Sequence, residues 1–320
     1  MTTLNLEMNR RAWDLVDRAA DRAGELGIGV DSLSGGTRIV DAGVSAAGGL
    51  AAGLLLADVC MGGLGHLAIT HLAMDGELWP GLQVWTDHPT LACMASQYAG
   101  WAITVDKFFA MGSGPLRAKA LVEKELFRKL DYMEDVERGV LVLEGATRPD
   151  ESVAQWIAAK SRLPLDAITL VVAPTASLAG GVQIVARVLE IGLHKMDALG
   201  FDVNRVVSAT GTAPLPPTAK SDVRAIGRTN DCVMYGGQAR YVVRAEDDEL
   251  ADLAGRVPAE AASDYGTPFY DIFKRYNYDF YKIDPMLFSP AEVWLTSATT
   301  GRTFHGGRTN PDVLRKSFAQ

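Results

Sequence analysis

The sequence predicts an α/β protein of two domains, and three observations carry that expectation. Short apolar runs of strand character alternate with helical patterns along the chain. The 320 residues, 48% of them hydrophobic, exceed the size at which a single core tends to divide. The stretch Leu163 to Asp166 follows a helical pattern, contains Pro164 and precedes a second strand-to-helix unit, which marks a boundary. Two α/β domains are therefore expected, at 1–163 and 164–320.

Taken in order, Glu7 to Leu26 spaces Ala12, Leu15, Val16, Ala19, Ala20 and Ala23 as one apolar helical face and ends near Gly24 and Gly27. Thr37 to Asp41 (TRIVD) reads as a short strand running into a glycine-rich turn and then a packed core helix over Ala42 to Val59. Gln83 to Thr86, Gly139 to Leu143 and Ala167 to Val172 read as strands, and Leu116 to Leu130 and Glu151 to Ala159 as helices. An internal echo pairs AGGLAAGLLLAD from Ala47 with AGGVQIVARVLE from Ala179, and convergence of two buried helices explains it slightly better than duplication.

Composition narrows the class. A formal charge of −8 disfavours a nucleic-acid partner, because phosphate neutralisation needs a basic excess. Cys60, Cys93 and Cys232 are odd in number and far apart, so they form neither a disulfide framework nor a CxxC metal pair and point to a reducing, cytoplasmic compartment. The N-terminus lacks a basic segment followed by an apolar one, so no secretory signal is expected. The most apolar stretch, Ala42 to Ala57, ends at Asp58, short of the ~20 residues a bilayer span requires, and no membrane partner is expected.

The segment APTASLAGGVQIVARVLEIGLHKMDALGF follows an apolar strand and ends at Gly200, with Lys195 in its last turns, and predicts one long helix. Gln183, Arg187, Glu190 and His194 interrupt its apolar covering within roughly 60° of arc, a narrow polar stripe facing a cleft. Arg187 and Glu190 are an i, i+3 pair. Burial opposes charge on such a carboxylate while the guanidinium favours it, a balance suited to a general base. From the spacing alone an ordinary helix salt bridge is the better explanation, and the narrow stripe is what points to a cleft.

Several separated blocks add to this. They are TDHP (Thr86 to Pro89), QYAGW (Gln97 to Trp101), FFAMGSGP (Phe108 to Pro115), APTAS (Ala173 to Ser177), TND (Thr229 to Asp231) with YGG (Tyr235 to Gly237), DYGTPFYDIF, YDFYKID (Tyr278 to Asp284), and FSPAEV with TTGRTFHGG. In their order and spacing the chain resembles the methenyltetrahydromethanopterin cyclohydrolases of methanogenic archaea and methylotrophic bacteria over nearly its whole length. The resemblance implies hydration of a cationic methenyl pterin to its N5-formyl product. It makes Glu190 the general base and gives Arg187 the task of tuning that base and holding the attacking water. Gln97, Tyr98 and Ala99 are implied to line the reacting centre. A homotrimer, an interdomain pocket for the pterin and the absence of any cofactor are implied as well.

Other groups read more plainly. His66 and His71, five apart beside MGGLGH, match no zinc spacing and read as loop or core histidines, so no metal site is expected. His88 precedes Pro89 and reads as a turn residue. Gly112, Ser113 and Gly114 before Pro115 read as a structural turn rather than an anion cradle. The aromatic run Tyr265, Phe269, Tyr270, Phe273, Tyr276, Tyr278, Phe280 and Tyr281 reads as core or subunit packing. The rival functions are a non-catalytic pterin- or nucleotide-binding protein and a metal-dependent hydrolase of another cyclic amidine.

Overall fold

The structure is a computed structural model, and it describes residues 6–279 and 282–320. Its strands are β1 (Gly29–Ser32), β2 (Arg38–Asp41), β3 (His66–Met74), β4 (Glu77–Thr86), β5 (Trp101–Val105), β6 (Phe108–Ser113), β7 (Gly139–Glu144), β8 (Ile168–Ala173), β9 (Val206–Pro214), β10 (Gln238–Val243), β11 (Glu292–Ser297) and β12 (Thr303–Gly307). The α-helices are α1 (Met8–Ala20), α2 (Ala23–Leu26), α3 (Leu50–Cys60), α4 (Leu116–Ala120), α5 (Lys124–Leu130), α6 (Glu151–Ser161), α7 (Leu178–Val185), α8 (Val188–Ala198), α9 (Asp222–Gly236), α10 (Asp247–Arg256), α11 (Phe269–Arg275) and α12 (Pro311–Ala319). The α/β class expected from the alternation of patterns is what the structure has.

The chain divides into two compact units. The first comprises the residues up to Gly65 together with Leu91–Gln183. Its six-stranded sheet has the order β1-β2-β8-β7-β6-β5, with β2, β8 and β7 parallel at its centre. Strands β7 and β8 are nearly continuous apolar runs because helices cover both faces of the sheet. On one face Val140, Val142 and Val171 pack with Ala12 and Val16 of α1 and Leu56 and Val59 of α3. On the other, Leu141, Leu143 and Leu170 pack with Val153 and Ile157 of α6.

The second unit comprises His66–Thr90 and Ile184–Gln320. Its sheet runs β12-β11-β10-β9-β4-β3 and is antiparallel except between β10 and β11. Alternate residues of β10 and β11 are buried, the signature of a sheet covered by helices on one face. A core of Met234, Tyr235, Phe269, Ile272, Leu287 and Leu314 ties α9, α11 and α12 together.

The boundary expected at residue 163 does not survive. Strand β8 lies beyond it yet is hydrogen-bonded between β2 and β7, so a cut there would split one sheet. The hairpin β3–β4 departs in the other direction, since β4 pairs with β9 of the second unit. Pairing between distant segments, absent from local pattern, decides both points.

Several element bounds also move. The helix expected over Ala42 to Val59 begins only at Leu50. The amides of Gly43, Val44, Ser45 and Ala46 are all donated to the Asp41 carboxylate, so they cannot enter a helical ladder. Burial alone would raise the Asp41 pKa, but these four bonds hold it below its ordinary range. The opening helix breaks after Ala20, and the stretch Leu116 to Leu130 is two helices parted where Leu121 takes a left-handed conformation, φ 53°. The strand read at Gln83 to Thr86 extends back through Pro80 to Glu77.

The echo between Ala47 and Ala179 marks contact rather than two halves. A Cβ on Gly53 of α3 would stand 2.5 Å from the Cβ of Val182 in α7, so the two glycine-bearing helices press against each other within the first unit. Among the described residues no helix is long and apolar enough to cross a membrane. Cys60, Cys93 and Cys232 are free and buried.

Candidate active site

The helix expected after APTAS is two helices. Between α7 and α8, Arg187 adopts φ −78° and ψ 4°, in the sparsely populated bridge region where active-site residues recur. Its N–H donates to the Ile184 carbonyl at 3.0 Å, an i−3 bond in place of the helical i−4 one. Neither proline nor glycine stands at the break. Val185, Ala186, Val188 and Leu189 around it are essentially fully buried, so tertiary packing overrides a good helical sequence.

The interruption has an electrostatic consequence. Arg187 becomes the residue that opens α8, and Glu190 falls in the first turn of that helix. There the partial positive charge of the helix N-terminus favours an anion. The Arg187 guanidinium adds to it, with Nη1 3.8 Å from Oε2 of Glu190, an ion pair longer than a hydrogen bond. Arg187 is 7% exposed and Glu190 3%, so this is no surface salt bridge of the kind the spacing alone allows. Gln183, at 2% exposure, continues the polar stripe, and His194 at its far end is half-buried.

Lys195, read as a cation at the helix end, is instead buried. Its Nζ donates to the carbonyls of Pro258 at 3.1 Å and Met286 at 2.6 Å. Burial pulls its pKa down to about 8 against the opposing charge of Asp284. It fastens α8 within its unit.

Gln97, Tyr98 and Ala99 belong to the first unit, and Arg187 and Glu190 to the second. Gln97 is fully buried and closes a π-helical segment, Thr90–Gln97, in which the Tyr98 N–H donates to the Cys93 carbonyl at 2.8 Å, an i−5 bond. Such wide turns are rare and concentrate at functional sites. Arg117, missed in the sequence, lies fully buried beneath this segment. Its Nη1 donates to the carbonyls of Met94 at 3.2 Å and Ser96 at 3.1 Å. A Cβ on Gly100 would stand 2.2 Å from Oε1 of Glu123 and 2.6 Å from a ring carbon of Tyr98, so a side chain there would displace both.

The remaining candidates resolve structurally. His66 and His71 are exposed on β3, not in a loop or core, and an odd separation along a strand points them to opposite faces. His66 stacks on Trp85 at 3.8 Å between centroids. Among the described residues no group of three or more His, Cys, Asp or Glu is placed to hold a metal ion. The His88 N–H donates to Thr86 Oγ1 at 3.0 Å, a turn contact. Gly114, with φ 97°, turns the chain from β6 into α4, and Ser113 Oγ lies 3.3 Å from Cys60 Sγ. Phe269 and Phe273 are core residues, as read, while Phe280 and Tyr281 lie outside the described residues.

Fold and site together define an α/β protein with a buried arginine–carboxylate pair at a helix start, an arrangement able to accept a proton away from bulk water. A family model described as Cyclohydrolase (MCH) matches residues 7–318. The chain is 41% identical over 98% of its length to methenyltetrahydromethanopterin cyclohydrolase of Methanosarcina barkeri, covering 98% of that protein. It is 44% identical to the proteins of the same name from Methylobacillus flagellatus and Methylobacterium nodulans, over 99% of this chain and 96% and 99% of theirs. The chain belongs to the methenyltetrahydromethanopterin cyclohydrolase family.

Proposed function

We propose that the chain adds water to the methenyl carbon of methenyltetrahydromethanopterin and opens the ring to the N5-formyl compound, reversibly. The observation that carries this reading is the burial of Arg187 and Glu190 as a pair at the start of α8, in a chain similar from end to end to proteins of that name.

The substrate is an amidinium-like cation, so its bridging carbon is electrophilic before the protein touches it. What remains is to position a water, remove its proton and direct collapse of the tetrahedral adduct. Glu190 is the general base. The Arg187 guanidinium sets the basicity of Glu190 and stabilises the oxygen that gains charge as the adduct forms. Gln97, Tyr98 and Ala99 bind the pterin, held rigid by the π-helical turn before them. The reaction uses no cofactor or metal, since the substrate supplies the positive charge itself. The working form is a cytoplasmic homotrimer.

The test is to mix the purified protein with the methenyl pterin and follow its absorbance. Catalytic loss of the methenyl chromophore, undiminished after exhaustive chelation, is expected. Stoichiometric binding without turnover would make the chain a pterin-binding protein instead, and loss of activity on chelation would make it a metal-dependent hydrolase.

A further inference from the structure

We propose that Arg117 is a positioning residue for the substrate-binding segment, fixing the wide turn that presents Gln97, Tyr98 and Ala99. The inference rests on the reading that this segment binds the pterin.

Contacts to two carbonyls, a carboxylate and two aromatic rings converge on one guanidinium, the second ring being Phe127 at 5.5 Å from its centroid. Nη1 donates to the carbonyls of Met94 and Ser96, three residues and one residue ahead of Gln97, at 3.2 and 3.1 Å. In a π-helical turn the carbonyls are offset from their usual partners, so donors from outside the helix are needed to hold the last of them. Nε donates to Oε1 of Glu123 at 2.8 Å, which fixes the plane of the fork. The centre of the guanidinium also stands 5.1 Å from the Tyr98 ring centroid, a cation–π distance. Arg117 is 0% exposed and is the largest fully buried side chain described.

Burying a permanent cation is costly unless its partners compensate. Here Nε and Nη1 are compensated, the first by Glu123 just ahead of α5 and the second by the carbonyls of the π-helical turn. A simple core role would be served by an aliphatic side chain of the same volume. A planar donor that grips two carbonyls of one turn and an aromatic face is suited to holding a backbone in register.

The experiment compares Arg117→Lys, Arg117→Gln, Glu123→Gln and Gln97→Ala in the full-length protein, using the methenyl pterin and hydrogen exchange. Faster exchange confined to residues 90–99 is expected in the Arg117 variants, about tenfold or more at the Tyr98 amide. KM should rise about fivefold or more, in step with Gln97→Ala, while kcat falls less. Arg117→Lys, which keeps the charge and part of the donor set, should recover some of the loss. If Arg117→Gln does not fold, Glu123→Gln, which keeps the shape and weakens the grip on Nε, should show the same pattern at smaller size. Unchanged exchange at 90–99 in folded variants, or a mere loss of active protein with KM unchanged while Gln97→Ala raises KM, would overturn the proposal. If Gln97→Ala itself leaves KM unchanged, the reading of 97–99 as the binding segment fails instead, and the substrate-positioning role falls with it.

Discussion

Arg187 Nη1 lies 3.8 Å from Oε2 of Glu190 with both side chains almost wholly withdrawn from solvent. Removing the cation leaves a buried carboxylate without its principal counter-charge, which typically costs ~3–5 kcal/mol. Arg187→Met should therefore destabilise the protein by about 3 kcal/mol in urea unfolding and lower turnover by ~10²-fold, the scale of losing one transition-state charge stabiliser. Adding Glu190→Gln to it should restore part of the stability and none of the turnover.

A second carboxylate does structural work from a distance. Glu134 is buried and accepts from the amides of Met8 and Asn9 and from the Asn9 side chain, the latter two at 3.0 and 2.7 Å. It thereby supplies the cap that Glu7, whose side chain makes no capping bond, does not give to α1. Tyr132 also donates to it, and burial with that carboxylate pushes the Tyr132 hydroxyl far up. Glu134→Ala should cost roughly 2–3 kcal/mol, read by denaturant unfolding, because several buried donors lose one acceptor together.

Between α3 and α7 the limit is space. Gly53→Ala would place its methyl 2.5 Å from the Cβ of Val182, so the helices must part. A loss of about 1–3 kcal/mol is expected. Val182→Ala would not relieve it, since the nearest clash is with Cβ, whereas Val182→Gly should recover part of the packing term, the Ala179 carbonyl oxygen remaining 3.0 Å away; thermal unfolding of the single and double variants measures this.

Asp231 gives the stability a pH dependence. It is fully buried on α9, its Oδ1 accepts the Phe269 amide at 2.8 Å, and burial pushes its pKa up to about 8. The folded protein thus holds a proton that the unfolded chain has released above pH ~4. Stability from this group is full at low pH and lost as pH rises toward 8. Asp231→Asn keeps the acceptor without the charge. It should match the parent near pH 4 and exceed it at pH 8 by at least ~1.4 kcal/mol, one pKa unit's worth. Equal urea midpoints at both pH values would show that the proton is not held.

What local pattern can reveal was legible. The largely apolar strands β7 and β8 and the capped helix α6, whose Asp150 accepts the Val153 amide, stand where their residues place them. The burial of Arg187 and Glu190 was legible as well, because a narrow polar stripe on an aliphatic helix is visible in one dimension. The break that places Glu190 at a helix start was hidden, since no proline or glycine marks it and packing alone imposes it. Arg117 was hidden too, because its partners at 94, 96 and 123 come together only through the fold. The boundary at 163 failed for the same reason: which sheet a strand joins is decided by segments far away in sequence.

In the proposed reaction Glu190 takes the proton from the attacking water. Glu190→Gln keeps the side chain's size and some of its hydrogen bonding while removing the base. Steady-state kinetics with the methenyl pterin should show KM within a few-fold of the parent and kcat reduced by ~10²–10⁴-fold, the range for loss of a positioned base. A folded Glu190→Gln variant with near-normal kcat would exclude Glu190 as the base.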